Sequence, residues 1–219
     1  MRTKTLLLTA ALAAAGIATS KAQVYSVNAV GYVNTTLVPG FNLIANPLDN
    51  KNGNIIKDVL KNITPTLPNA LQVFKYHPES ASFHTAQYDD LALDYTGTAA
   101  TETLNPGEGV FVKVPGTATL TATFVGEVMQ GTLANPVPQG FSILSSQVPQ
   151  AGTATALGLV GQQGDTLYKW DPIAKAYVTT KFDDLVGDFD KTVNIGVGEA
   201  FYYNSKVAKT WNRTFSVSP

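Results

Sequence analysis

The chain has 219 residues, no cysteine and a formal charge of −1, from 15 basic and 16 acidic side chains. This rules out disulfide staples, thiol nucleophiles and lipidation at a cysteine. The absence of any basic stripe argues against nucleic acid and anionic lipid surfaces, whose phosphates demand clustered Lys and Arg.

In chain order, the first element is an export signal over residues 1–22. Arg2 and Lys4 precede an uncharged run from Leu6 to Ile17, and Ser20, Lys21, Ala22 supply the small-any-small pattern of a signal peptidase site. The cut is expected between Ala22 and Gln23, with Ala18 and Ser20 offering a second possibility. A run of about a dozen apolar residues falls short of the ~20 that span a bilayer, so a membrane anchor is the poorer reading. No second hydrophobic span follows the signal. Removal of residues 1–22 takes three basic side chains with it and leaves a net charge of about −4.

Beyond the signal the chain reads as two tandem pseudo-repeats of about 95 residues, taken as 23–125 and 126–219. The clearest trace is Tyr88–Thr98 (YDDLALDYTGT) against Phe182–Thr192 (FDDLVGDFDKT), offset by 94 residues. Gly40–Ile44 answers to Gly140–Leu144, Val73–Tyr76 to Leu167–Trp170, and Gly107–Gly109 to Gly198–Ala200. Val30–Val33 resembles Val125–Val128, and Thr123, Phe124 resemble Thr214, Phe215.

Most of these blocks are short runs of Val, Ile, Phe, Tyr and Thr bounded by Gly, Pro, Asn or Asp, the signature of strands. Pro78 and Pro172 sit at early turn positions, so Val73–Tyr76 with Ser82–Tyr88, and Leu167–Trp170 with Ala176–Phe182, are expected hairpins. Ile55, Ile56, Val59, Leu60 and Ile63 recur at helical spacing, with a weaker, Gly-interrupted counterpart at Ala154–Val160. The expected fold is all-β, with one or two short helices and two packed sandwich- or barrel-like halves related by a pseudo-two-fold; one continuous sandwich is the alternative. One strand type appears three times, near Val24–Val33, Leu120–Val128 and Trp211–Val217. This suggests that the initial strand pairs with its own copy while the central one joins the halves.

No catalytic or cofactor-binding residue is expected. Asp89, Asp90 and Asp94, with Asp183, Asp184, Asp188 and Asp190, offer hard oxygen ligands to calcium but lack a calcium-loop spacing; turn-bracing carboxylates are the competing reading. Glu108 and Glu199 lie in Gly-rich turns and read as backbone constraints rather than catalytic acids. His77 and His84 flank a turn. The second half has Asp171 near the first position and no histidine near the second, so both are read as incidental surface residues rather than metal ligands. There is no G-x-S-x-G elbow, and Gly161–Gly164 (GQQG) lacks the lysine of a phosphate loop. Asn34, Asn62 and Asn212 open N-x-S/T sequons, which matter only in a glycosylating host.

The hairpin aromatics Tyr76, Phe83, Tyr88, Trp170, Tyr177 and Phe182 are either core or, if exposed and coplanar, a platform for sugar faces.

Gly40–Leu48 (GFNLIANPL) and Pro106–Val112 (PGEGVFV), with the VGYV and FVGEV strands, resemble a β-rich module recurrent in exported bacterial proteins. The resemblance spans nearly the whole chain after the signal. In the second half Ser142 replaces the Asn, and Val197 and Ala200 replace the Pro and the second Gly. It implies export and a β fold and carries no catalytic residues. The expected function is that of a non-catalytic exported protein at the cell surface, in a matrix or in the periplasm, engaging a surface protein or a glycan.

Overall fold

The computed structural model describes residues 29–217, so the expected signal and its cut at Ala22 and Gln23 lie outside the described residues. The first half runs β1 (Val30–Leu37), β2 (Gly40–Ile44), α1 (Ile56–Val59), β3 (Ile63–Thr64), β4 (Gln72–His77) and β5 (Ser82–Asp89). It continues through β6 (Asp94–Thr96), a 3-10 turn (Thr98–Thr101), β7 (Val110–Val114) and β8 (Leu120–Glu127). The second half runs β9 (Gly131–Val137), β10 (Gly140–Ser145), β11 (Gly152–Thr153), β12 (Thr166–Asp171) and β13 (Ala176–Asp183), then β14 (Asp188–Phe189), β15 (Asn194–Ile195), β16 (Ala200–Ser205) and β17 (Lys209–Phe215). The fold is all-β. Among the described residues no helix is long and apolar enough to cross a membrane.

Each half carries a five-stranded antiparallel sheet, ordered β2-β7-β4-β5-β6 in one and β10-β16-β12-β13-β14 in the other. The registers coincide as well. Tyr76 faces Phe83 as Trp170 faces Tyr177, Phe74 faces Phe111 as Tyr168 faces Tyr202, and Tyr88 faces Tyr95 as Phe182 faces Phe189. Positions can therefore be matched across the halves, at a separation of 100 residues for β2 and β10, 94 for the hairpins and 91 for β7 and β16.

Period-two alternation gives each sheet two apolar faces. One face packs inside its own half. In the first half Val73, Ala86, Val110 and Val112 meet α1 and the β1–β8 ribbon, around Leu37, Leu60 and Phe124. In the second, Leu167, Phe201 and Tyr203 meet Trp211 and Val137 of the β9–β17 ribbon. The helical spacing near Ile55 yields the single turn of α1, whose Ile56 and Val59 are buried. Its counterpart at Ala154–Val160 forms a hydrogen-bonded turn instead, where Gly158 takes a φ of +89°.

The look-alike strands near Val30 and Val125 are pairing partners. β1 runs antiparallel to β8, with Gly31 opposite Gly126, the pairing expected of these two strands. The central strand does not link the halves; β9 pairs with β17 and closes a separate ribbon.

A reciprocal pair of backbone contacts joins the edges of the halves. Ala45 N–H, just past β2, donates to Gly198 O at 2.9 Å, and Ser145 N–H, at the end of β10, donates to Gly107 O at 2.9 Å. Isolated bridges Ile44–Glu199 and Glu108–Leu144 lie beside them. β2 and β10 end their sheets, so each glycine loop covers part of the other half's open strand edge. The approach is close enough to exclude side chains. A Cβ on Gly109 would lie 2.3 Å from Ala200 Cβ and 2.6 Å from Ile143 Cγ2.

The departure at Ser142 has a local cause. Asn42 closes the turn from β1 to β2 by accepting from Val38 N–H at 2.9 Å and donating to Val38 O at 2.8 Å. The matched position to Val38 is Pro138, which has no N–H to give, so half of the Asn bracket has no partner there. Ser142 is buried with its hydroxyl unpaired.

The second half also buries a charge. Asp165 is fully buried and accepts from Tyr203 Oη at 2.7 Å, Lys206 N at 2.7 Å and Gln162 N at 2.9 Å, with Lys209 Nζ paired to it directly. Burial pushes its carboxyl up, but Lys209, Tyr203 and the Lys206 amide outweigh burial and hold it below its ordinary 3.8.

Two predictions follow from these contacts. Gly109→Ala destabilises by about 1–3 kcal/mol through overpacking, and adding Ala200→Gly recovers at least half of the loss in urea melts; no recovery means that the crowding lies elsewhere. Asp165→Asn costs about 3 kcal/mol at pH 7, because Lys209 stays buried without its counter-charge. A depressed folded pKa gives stability that is present above the unfolded value and lost as pH falls through the folded one. The gap between parent and Asp165→Asn is therefore flat from pH 7 to about 5 and closes below about pH 3.8; a gap unchanged in acid refutes it.

Candidate functional site

The second apolar face of each sheet points at the other half. Phe74 and Tyr76 of β4 share that face with Phe83 of β5, Phe111 of β7 and Phe41 of β2, because each stands opposite or one pleat away from the next. The matched positions in the second sheet are Tyr168, Trp170, Tyr177, Tyr202 and Phe141. All five positions are aromatic in both halves.

Ring contacts run through the set without a break. Phe41 meets Phe74 and Phe111 at centroid separations of 5.7 and 6.0 Å, Tyr76 meets Tyr202 at 5.7 Å, and Phe111 meets Trp170 at 6.1 Å. Trp170 Nε1 donates to Phe41 O at 2.7 Å, tying the second hairpin to the first sheet. Beneath the rings, Leu43, Ala45, Ile143 and Ala200 complete a shared core between the halves. Phe41, Phe83, Phe141 and Tyr177 stay 41–45% exposed.

The result is a pair of adjoining clefts. One, of about 390 Å³, is lined by Phe41, Phe74, Phe83 and Phe111 from the first half and Trp170, Tyr177 and Tyr202 from the second. The other, of about 360 Å³, is lined by Phe141, Tyr168, Tyr177 and Tyr202 with Tyr76 from the first half. Exchanging matched residues turns most of one lining into the other. Burial holds the Tyr177 and Tyr202 phenols above their ordinary pKa, so both keep their proton at neutral pH as hydrogen-bond donors.

Of the six hairpin aromatics singled out in the sequence, Tyr76, Phe83, Trp170 and Tyr177 lie in this surface. Tyr88 and Phe182 do not. Each is an odd number of residues along its strand from the ring at 83 or 177, so the pleat turns it inward. There Tyr88 packs on Tyr95 at 5.3 Å and Phe182 on Phe189 at 5.4 Å. Nor are the exposed rings coplanar. Neighbours within the two clefts are tilted by 40–90°, which makes slots between ring edges and faces rather than a flat stacking platform.

Of the seven aspartates singled out in the sequence, Asp89, Asp94, Asp183, Asp188 and Asp190 hold nearby backbone amides with their carboxylates. Asp89 accepts from Leu91 N–H at 2.9 Å and Asp183 from Leu185 N–H at 2.9 Å, the geometry of an Asx turn. Asp94 pairs with Lys57 at 3.1 Å, Asp188 accepts from Thr155 Oγ1 at 2.5 Å, and Asp190 accepts from Thr180 Oγ1 at 2.7 Å. Glu108 accepts from Asn105 N–H at 2.7 Å and pairs with Lys75 at 3.3 Å. At the matched place Glu199 accepts from Gly196 N–H at 2.6 Å and pairs with Lys169 at 2.8 Å. Each carboxylate ties down the glycine loop that receives the other half's strand.

A second cluster lies on the opposite face of the first hairpin. His77 Nε2 and His84 Nδ1 both reach the carboxylate of Glu102, the first at 2.9 Å, and His77 Nδ1 meets Glu79 at 2.9 Å. Burial pushes the His77 pKa down, but Glu79 and Glu102 more than offset it and leave it raised. Spacing alone brings only the two histidines into view, because Glu102 arrives from beyond the 3-10 turn.

No protein-family model, no curated protein and no solved structure matches this chain.

Proposed function

We propose that this chain is an exported, non-catalytic interaction module of the cell surface, matrix or periplasm, built as a tandem repeat, and that it grips an apolar segment of its partner in the two aromatic clefts. The observation that carries this reading is the pair of adjoining slots, about 390 and 360 Å³, lined almost wholly by rings at matched positions. Slots of this size lie at the small end of ligand pockets. Partly exposed aromatic clusters are where binding energy concentrates in protein interfaces.

Two slots side by side favour a chain with two apolar side chains over an isolated small molecule, because the second side chain binds at high effective concentration once the first is seated. The N-terminal signal pattern supports export. The absence of any basic stripe leaves nucleic acid out of this reading.

Carbohydrate is the second reading, supported by Trp170 and the four tyrosines among the ten rings. The tilt between rings counts against it, since a pyranose face stacks best on an open flat platform.

The test is a peptide library varied in aromatic and aliphatic content, scored by displacement of an apolar dye such as anilinonaphthalene sulfonate. Peptides with two bulky apolar side chains are expected to displace it. Phe83→Ser with Tyr177→Ser lowers that affinity tenfold or more while melting close to the parent, because both rings are already more than 40% exposed. Equal binding by parent and double variant overturns the cleft assignment. Retention of a glycan that Trp170→Ala weakens without unfolding replaces it with the carbohydrate reading, and an empty glycan array retires that reading.

A further inference from the structure

We infer that His77, His84 and Glu102 form a binding site for one zinc-class divalent cation on the first hairpin. Their ligating atoms all lie within 4.8 Å of one another. A tetrahedral ion with bonds of about 2.0–2.1 Å sets its ligand atoms about 3.4 Å apart, so the site closes with small side-chain rotations. Two imidazoles and one carboxylate are a donor set that zinc takes with its fourth position left to water.

The backbone presents these groups from fixed positions. His77 is the last residue of β4, and the register places Ser82 opposite it and His84 opposite Lys75, so the two imidazoles are diagonal neighbours on one face. Their ring centroids are 4.0 Å apart. Glu102 caps the 3-10 turn, with its N–H donating to Ala99 O at 3.2 Å and its carbonyl accepting from Ile56 N–H at 2.8 Å. Lys75 shares the face but directs its ammonium to Thr103 O at 2.5 Å and to Glu108.

The outer shell is also in place. Glu79 meets His77 Nδ1 at 2.9 Å. With an ion bound, that contact would keep the proton on Nδ1 and leave Nε2, which meets Glu102 at 2.9 Å here, free to give up its proton and ligate, as the carboxylate partner of a metal-bound histidine does. His84 keeps 43% of its side chain exposed, against 20% and 22% for His77 and Glu102, so one side stays open to water and an incoming ion.

The second half supplies a control within the same molecule. The matched positions carry Asp171, Val178 and Val193, and that hairpin forms with the same register. The sheet therefore folds without this cluster. Nothing in the pattern shared by both halves requires two histidines and a glutamate here.

The experiment is calorimetric titration of untagged, EDTA-stripped protein with zinc chloride near neutral pH. One ion per chain is expected, at about 10 µM or tighter, with a matching rise in melting temperature. His84→Val installs the side chain that the matched hairpin tolerates and is expected to fold while losing tenfold or more in affinity. Glu79→Gln weakens binding by about tenfold through the outer shell. No saturable binding at millimolar zinc, or affinity unchanged in both His84→Val and Glu102→Gln, overturns the site and leaves a proton-bridged surface cluster only.

Discussion

The crossed contact between each glycine loop and the other half's edge strand is the constraint on which the rest of the molecule depends. Ala45 to Gly198 and Ser145 to Gly107 are each a single backbone hydrogen bond at 2.9 Å, and such a bond is worth only about 1 kcal/mol net. Their importance is positional. They hold the two five-stranded sheets so that the faces not used by either internal core confront each other. Gly109 permits this by leaving no atom where Ala200 Cβ and Ile143 Cγ2 already sit. Glu108 and Glu199 shape the two loops that make the contact, which accounts for an acid at the matched place in each half.

Aromatic residues at all five matched positions then follow from the geometry of that junction. Two twisted sheets brought together at their edges diverge away from the contact and leave a wedge that short side chains cannot fill. Rings are the largest apolar side chains available, and they can close the base of the wedge while reaching partway up its sides. Phe111, 8% exposed, lies at the base, and Phe41, Phe83, Phe141 and Tyr177 stand on the flanks. The wedge is thus filled below and open above. One arrangement of rings stabilises the pairing of the halves and creates the exposed clefts.

Much of this architecture was legible in the residues. Pro78 and Pro172 between alternating runs gave both hairpins, and the acidic blocks at 94-residue spacing gave matched placements for β5 and β13. The aromatic surface was legible only in part. Parity along a strand is enough to send Tyr88 and Phe182 inward, yet which parity faces the partner half depends on a contact that no local pattern encodes. Phe41 and Phe111 come from strands 70 residues apart and became neighbours only through the β2–β7 pairing. Glu102 was invisible for a related reason. Its place beside the histidines is set by hydrogen bonds of the 3-10 turn to α1, not by any spacing to His77 or His84.

Where the halves differ is as informative as where they agree. Leu71 and Asp165 occupy matched, fully buried positions, one apolar and one charged. The charge in the second half is supported by Tyr203 and Lys209; at the place of Tyr203 the first half has Val112, and so neither side chain is left unpaired. That is a self-contained exchange of a hydrophobic contact for an ion pair, and it lies almost wholly beneath the surface, with Lys209 only partly exposed. The substitution of Asn42 by Ser142 is likewise explained within its own turn by Pro138. The contrast of His77, His84 and Glu102 with Asp171, Val178 and Val193 is of another kind. It changes three positions at once, drawn from three separate segments; packing accounts for one of them, since Val193 is buried in the second half's core, but not for the two hairpin positions, which are partly or fully exposed in both halves. Differences confined to the interior are accounted for by packing, whereas one that assembles imidazole and carboxylate groups at the surface points to something that binds from outside.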